Sequence, residues 1–182
     1  MMLSLFSAIY ISGNAANDVL TLKNGSMLKL YSKNGYKYVS GMPLGTKAAA
    51  LSANFKGTVK VTDKSGTALN DTDALENGYK VTLTNSGDTA YVVIQGDADS
   101  NGKITVTDYL RIKRHFLNTF TLTGLNFEAA DVDGDGKIDS TDYLNIKRHL
   151  MRISLINSSF TNANLKDDTP EPTGYTLPFI PA

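Results

Sequence analysis

Cysteine is absent from this 182-residue chain, so disulfides and thiolate metal sites are both excluded. An excess of charge is missing too: 18 basic and 18 acidic residues give a formal net charge of zero, which removes any global case for nucleic acid or an anionic membrane as partner. Histidine occurs only twice. No long apolar run is present either. The amino-terminal stretch MMLSLFSAIYISG falls short of the ~20 apolar residues a spanning helix needs. Together with the small residues Gly13 to Ala16 it resembles the end of a secretory signal without its basic flank, so residues 1–18 read as either a leader remnant or a first strand. A hydrophobic fraction of 41% beside 20% charged residues places the remainder among folded, globular chains.

From residue 19 to 95 the pattern is that of β structure. Stretches rich in Val, Thr, Tyr and Leu (Val19–Leu22, Tyr36–Val39, Thr58–Val61, Tyr79–Leu83, Ala90–Ile94) alternate with the turn pairs Asn24-Gly25, Asn34-Gly35, Ser65-Gly66, Asn77-Gly78 and Ser86-Gly87. The spacing predicts a small all-β, sandwich-like module, with Lys80–Thr84 and Ala90–Ile94 paired as a hairpin. This stretch has no His, and its acids Asp63, Asp71, Asp73, Glu76 and Asp88 fall in turns, so they read as solvated carboxylates and no catalytic residue is assigned.

Beyond residue 95 the chain carries a duplication. DADSNGKITVTDYLRIKRHFLN (97–118) recurs as DVDGDGKIDSTDYLNIKRHLMR (131–152), at an offset of 34 residues from Asp97 to Asp131. Asp97, Asp99 and Asn101 set oxygen side chains at loop positions one, three and five. The Lys103 carbonyl stands at seven, Thr105 at nine and Asp108 at twelve. The second copy supplies Asp131, Asp133, Asp135, the Lys137 carbonyl, Asp139 and Asp142. A hard cation such as calcium takes six to eight oxygens, and alternate residues of a tightly wound loop can converge on one point. Gly102 and Gly136 stand where the chain must turn sharply. Thr105 and Asp139 are expected to act through water, and Ile104 and Ile138 to pack the two loops back to back. Two calcium ions are expected. The second loop carries five acids and the first three, so the second should bind more tightly. An EF-hand has a helix before its loop and Glu at position twelve; here a strand-like segment precedes Asp97, and position twelve is Asp in both copies.

The two loops with their exit helices, Asp at twelve, the Thr-Asp-Tyr-Leu runs at 107–110 and 141–144 and Lys-Arg in both helices together resemble the type I dockerin. That module plugs proteins into the cohesin domain of a scaffoldin in cellulosome-like assemblies. The resemblance covers about residues 96–153 and implies an all-α unit of two F-hand repeats. The upstream stretch, by the order of its elements and the junction Tyr91–Asp97, resembles the small accessory X modules that precede some dockerins. The expected fold class is therefore two-domain, an all-β sandwich-like module at 19–95 followed by an all-α dockerin at 96–153. Residues 154–182 form a polar, Pro-containing tail whose Tyr175 and Phe179 are expected to dock back on the module.

Helix periodicity separates two faces. Tyr109, Ile112 and Phe116 form an apolar stripe expected to pair with Tyr143, Ile146 and Leu150. About 100° around the axis lie Leu110, Lys113, Arg114 and Leu117, with counterparts Leu144, Lys147, Arg148 and Met151, apolar anchors flanked by charge as a protein interface needs. By resemblance Val106-Thr107 and Ser140-Thr141 join this surface as the cohesin-recognition pairs. Because the two stripes are nearly alike, half a turn of the module would present the same surface, and binding in two orientations is expected. His115 and His149 read as structural or interface-edge residues.

The functional expectation is a non-catalytic, calcium-dependent interaction protein, secreted or at a bacterial cell surface. It anchors its chain by cohesin binding in a polysaccharide-degrading or cell-surface complex. No nucleic acid, membrane insertion or small-molecule substrate is expected. The alternative is the carboxy-terminal part of a secreted carbohydrate-active enzyme. An EF-hand-type calcium regulator is disfavoured, since it expects a helix before each loop, Glu at twelve and Met-rich inner faces.

Overall fold

The computed structural model describes residues 18–158, so all but Asp18 of the leader-or-strand expectation for residues 1–18, and the docking of Tyr175 and Phe179, lie outside the described residues. Five strands form one sheet: β1 (Lys29–Lys33), β2 (Tyr36–Ser40), β3 (Val59–Thr62), β4 (Lys80–Leu83) and β5 (Thr89–Val92), in the order β1-β2-β5-β4-β3. Four helices accompany them: α1 (Ala48–Ser52), α2 (Val106–Phe116), α3 (Gly124–Ala130) and α4 (Ser140–Leu150).

The sheet is mixed. β2 and β5 pair in parallel, with Tyr38 opposite Tyr91 and Val39 opposite Val92, while every other pairing is antiparallel. This corrects the expected all-β sandwich. A parallel pair cannot be closed by a hairpin and needs a crossover, here a connection that includes α1, β3 and β4. The Ala-rich Ala48–Ser52 segment forms the helix of that connection, as good helix formers do. The predicted hairpin is present as β4–β5, whereas Val19–Leu22 makes only an isolated bridge from Leu22 to Phe55.

β1 goes beyond the strands expected from sequence. Asn34 and Gly35 both adopt positive φ (52° and 81°), the two-residue hairpin geometry whose twist matches its strands, and so close β1 onto β2. β1 is an edge strand carrying Lys29 and Lys33, which discourages further pairing.

Among the described residues no second sheet covers the first. One face, with Val39, Val61, Val81, Ala90 and Val92, packs on Leu51 of α1 and on Met42, Phe55 and Leu75 from loops. The opposite face brings Tyr38 and Val93, with Tyr31 and Tyr91 beside them, against Ala129 and Leu125 of α3. At that contact the buried Glu128 accepts a hydrogen bond from Tyr31 Oη at 2.9 Å and pairs with Lys33 Nζ at 2.7 Å. The low-polarity setting and the adjacent carboxylate push the Tyr31 phenol strongly upward. A third core, Ile112, Ile146, Ala98, Ala130, Ile138, Leu122 and Ile156, lies between α2, α4 and the loops that lead into them.

The inner stripe differs from expectation at one place. Ile112 and Ile146 are fully buried, and Tyr109, Tyr143 and Leu150 pack around them, but Phe116 is 40% exposed. The phenylalanine packed on this core is instead Phe127 of α3, whose ring meets that of His115 edge-on at 5.8 Å. α3 also means that the second loop is entered from a helix, because Ala130 is followed directly by Asp131. The strand-like lead-in expected before Asp97 is present as β5, whereas the reading that no helix precedes either loop fails for the second.

The repeat runs further than its sequence identity. Thr119 N–H and Ile153 N–H donate to Arg114 O and Arg148 O, each at 2.9 Å, around the positive-φ residues Asn118 and Arg152. Leu122 N–H then donates to His115 Nδ1 at 2.9 Å and Ile156 N–H to His149 Nδ1 at 3.1 Å. Both histidines thus cap the chain leaving their helices. Burial holds both imidazoles below the usual histidine range, which favours the neutral form this acceptor role requires.

Candidate metal centres and interaction face

Each helix start builds part of a loop. Thr105 and Asp139 are the N-caps of α2 and α4, and Asp108 and Asp142, three residues on, accept the N-cap N–H through Oδ2 at 2.8 Å. This capping box fixes the position-twelve carboxylates at the positive end of each helix. Their other oxygens reach back across the loop: Asp108 Oδ1 accepts Asp99 N–H at 3.1 Å, and Asp142 Oδ1 accepts Val132 N–H at 2.7 Å.

The loop entrances are held in the same way in both copies. Asp97 accepts Asn101 N–H and Gly102 N–H at 3.0 and 3.1 Å; Asp131 accepts Asp135 N–H and Gly136 N–H at 3.0 and 2.8 Å. Gly102 and Gly136 have φ of 79° and 92°, the left-handed turn expected at position six.

Oxygens of Asp97, Asp99 and Asp108 consequently lie within 4.8 Å of one another, as do those of Asp131, Asp133 and Asp142. Asn101 and Asp135 sit at the loop tips, where each Oδ1 accepts the N–H of Lys103 or Lys137 at 2.9 Å. Thr105 and Asp139 receive Thr107 N–H and Thr141 N–H at the helix starts, and Asp139 is not among the converging carboxylates.

The electrostatics of these clusters call for a cation. Asp97, Asp108 and Asp142 are fully buried and Asp131 is 5% exposed. Among the described residues the one ion pair at either cluster is Arg111 Nε to Asp99, at 3.9 Å. Burial pushes the carboxyls of Asp97 and Asp142 up to about 6 and those of Asp108 and Asp131 upward. Buried acids converging without a balancing charge are costly unless a metal takes their charge. An all-oxygen donor set is what a hard divalent cation selects.

The other predicted residues occupy a separate surface. Val106, Thr107, Leu110, Arg114 and Leu117 are exposed along α2, with Lys113 half-buried; Ser140, Thr141, Leu144, Lys147, Arg148 and Met151 are exposed along α4. Arg114 lies over the ring of Phe120, 5.1 Å from its centroid, which holds the guanidinium at the helix end.

Sequence reasoning missed the residues that join the sheet to these loops. Asn77, read only as a turn former, and Gln95 are buried polar groups bonded to loop backbone. Gln95 carried a signal: a polar residue ending the apolar run Val92-Val93-Ile94 just before the first loop. Of the turn acids, Asp88 is not merely solvated, since it accepts Leu20 N–H at 2.7 Å and pairs with Lys37.

A duplicated oxygen-lined loop, each followed by a helix with a bare outer face, defines a calcium-loop interaction module. Residues 95–151 match the family model of the dockerin type I domain and form such a domain, which is a non-catalytic module. A search of curated proteins finds no match to the chain. Dockerin domains bind calcium and are calcium-dependent modules that bind cohesins, and they occur in extracellular cellulosome components. No described helix is long and apolar enough to cross a membrane.

Proposed function

We propose that this chain is a secreted, non-catalytic adaptor whose segment 96–153 takes two calcium ions and docks onto a cohesin of a scaffoldin. Asp97, Asp99, Asn101, Asp108 and the Lys103 carbonyl would hold the first ion; Asp131, Asp133, Asp135, Asp142 and the Lys137 carbonyl the second. Thr105 and Asp139 contribute through the helix caps and through water. Calcium supplies the charge that neutralises the buried carboxylates. The exposed outer residues of α2 and α4, from Val106 to Leu117 and from Ser140 to Met151, form the docking face. The sheet serves as an accessory module upstream, and the docked chain is anchored in a polysaccharide-degrading or cell-surface complex. The observation carrying this reading is the pairing of two carboxylate triads, in register, with two helices whose outer faces lack partners among the described residues.

A unit of under ~60 residues buries little apolar surface, and such units usually need a staple. A site with a dissociation constant of ~1 µM in ~1 mM calcium contributes about 4 kcal/mol, comparable with the whole stability of a small domain. Calorimetry against a panel of cohesins, with calcium and with excess EDTA, tests the reading. Binding by at least one cohesin in calcium, together with loss of helical circular dichroism and of binding in EDTA, is expected. A helical signal and cohesin affinity both indifferent to EDTA would overturn it.

A further inference from the structure

Each loop opens on an aspartate whose main-chain carbonyl is gripped by a buried carboxamide from outside that loop. Asn77, fully buried ahead of β4, donates from Nδ2 to Asp97 O at 2.7 Å and accepts Ile94 N–H on Oδ1 at 2.5 Å. Gln95, 4% exposed beyond β5, donates from Nε2 to Asp131 O at 3.1 Å and Val132 O at 3.0 Å, and its Oε1 accepts Asn157 Nδ2–H at 3.0 Å. A lysine from the sheet side reinforces each grip: Lys64 Nζ donates to Ser100 O and Lys29 Nζ to Asp133 O, both at 3.3 Å. The two loops do not depend on the same residues. The first is fixed from the β3–β4 connection, the second from β1 and the chain just after β5.

We infer that Asn77 and Gln95 are positioning residues for the two metal loops, so that the sheet is a working part of both sites and calcium binding is thermodynamically linked to the order of the sheet. The inference rests on the calcium reading of the two loops. A carboxamide that fixes the carbonyl of position one fixes the Cα from which the first carboxylate departs, and groups orienting ligands in this way typically change metal affinity 10–100-fold. Neither amide touches a carboxylate directly. Both donate to buried main-chain carbonyls, so replacing either leaves backbone groups of the loop it grips without that partner. Linkage is reciprocal: if the sheet preorganises the loops, calcium in the loops must protect the sheet.

Calcium titration of the full chain, followed at the Gly102 and Gly136 amides by NMR, reads the loops separately. Gln95→Met should weaken the second loop about tenfold and leave the first within about twofold; Asn77→Ala should do the reverse. Equal losses at both loops, or none, would overturn the inference. Wild-type hydrogen exchange at the Val93 and Ile94 amides, measured with and without calcium, needs no substitution: slower exchange in calcium is expected, and unchanged exchange counts against it. Wild-type protein that takes up no calcium refutes the calcium reading itself, which is a different outcome from variants that bind as tightly as the parent.

Discussion

Tyr109 and Tyr143 meet hydroxyl to hydroxyl at 2.5 Å, with ring centroids 4.9 Å apart and planes tilted by 31°. They are the same residue of the two repeats, so the contact relates α2 to α4 by an approximate two-fold operation, and the fully buried Ile112 and Ile146 obey it too. An operation that exchanges the helices also exchanges their outer faces. Leu110 and Leu144 are 47% and 41% exposed, and Leu117 and Met151 52% and 59%, so the two faces offer similar apolar anchors. Val106 against Ser140 is the main chemical difference between the proposed recognition pairs.

If cohesin accepts both orientations, removing one costs only the statistical factor of two, about 0.4 kcal/mol. Ser140→Ala with Thr141→Ala should therefore weaken cohesin binding by roughly that much. Adding Val106→Ala and Thr107→Ala should weaken it far beyond the product of the two pairwise effects. Calorimetry of the three variants decides the matter, and a large loss from the Ser140 and Thr141 pair alone rules out two orientations.

Calcium affinity should fall steeply as pH drops through 6. The folded-state pKa values of Asp97 and Asp142, near 6, stand above the ordinary carboxylate value. For a raised acid the burial penalty is absent below the unfolded value near 4 and fully present above about 6, so metal-free protein carries the cost at neutral pH and calcium relieves it. At pH 5 calcium must instead displace protons from both residues, and from Asp108 and Asp131, which are shifted in the same direction. Asp88, lowered with Lys37 beside it, titrates below this window and leaves the sign unchanged. His115 and His149 act in the same sense, because charging either opposes its Nδ1 cap. Calorimetry at pH 5.5 in buffers of different ionisation enthalpy should record protons released on calcium binding; a buffer-independent enthalpy contradicts this.

The site is more legible than the fold because its signal is local. Ligand spacing within a twelve-residue loop is fixed by backbone geometry, and the repeat doubles the signal, so the carboxylates that converge are among those picked out by spacing alone. The sheet depends on long-range pairing that no local pattern specifies. β1 is masked because Lys-Leu-Tyr-Ser-Lys carries two lysines, although its Asn34-Gly35 turn is visible. α1 and α3, at five and seven residues, are too short for helical periodicity to register, and tertiary contacts hold them. The expectation of a second sheet fails for a related reason: the Tyr-rich face that would require one is covered by α3 from the far side of the first loop. The repeat's last four residues are hidden because Thr-Phe-Thr-Leu and Ile-Ser-Leu-Ile share no letter in register, only the apolar Leu122 and Ile156 that the histidines cap.

Gly96 gives the junction between sheet and loops its sharpest constraint. Its φ of 97° lies where side chains are strained, and a Cβ there would stand 2.8 Å from Ile156 Cδ1 and 3.0 Å from Ile104 Cδ1. Gly96 N–H also donates to Ala129 O at 2.7 Å, tying the entry of the first loop to α3 ahead of the second. Gly96→Ala therefore meets backbone strain and two core side chains at once, and should cost about 2–4 kcal/mol. Ile156→Val shortens the nearer obstacle but leaves φ unchanged, so the double variant should recover part of the loss and no more. Denaturant unfolding in saturating calcium measures all three proteins. Gly96→Ala with parental stability would mean that the backbone at this junction is free to rearrange, contrary to the rigid seam formed by Gly96, Ile104 and Ile156.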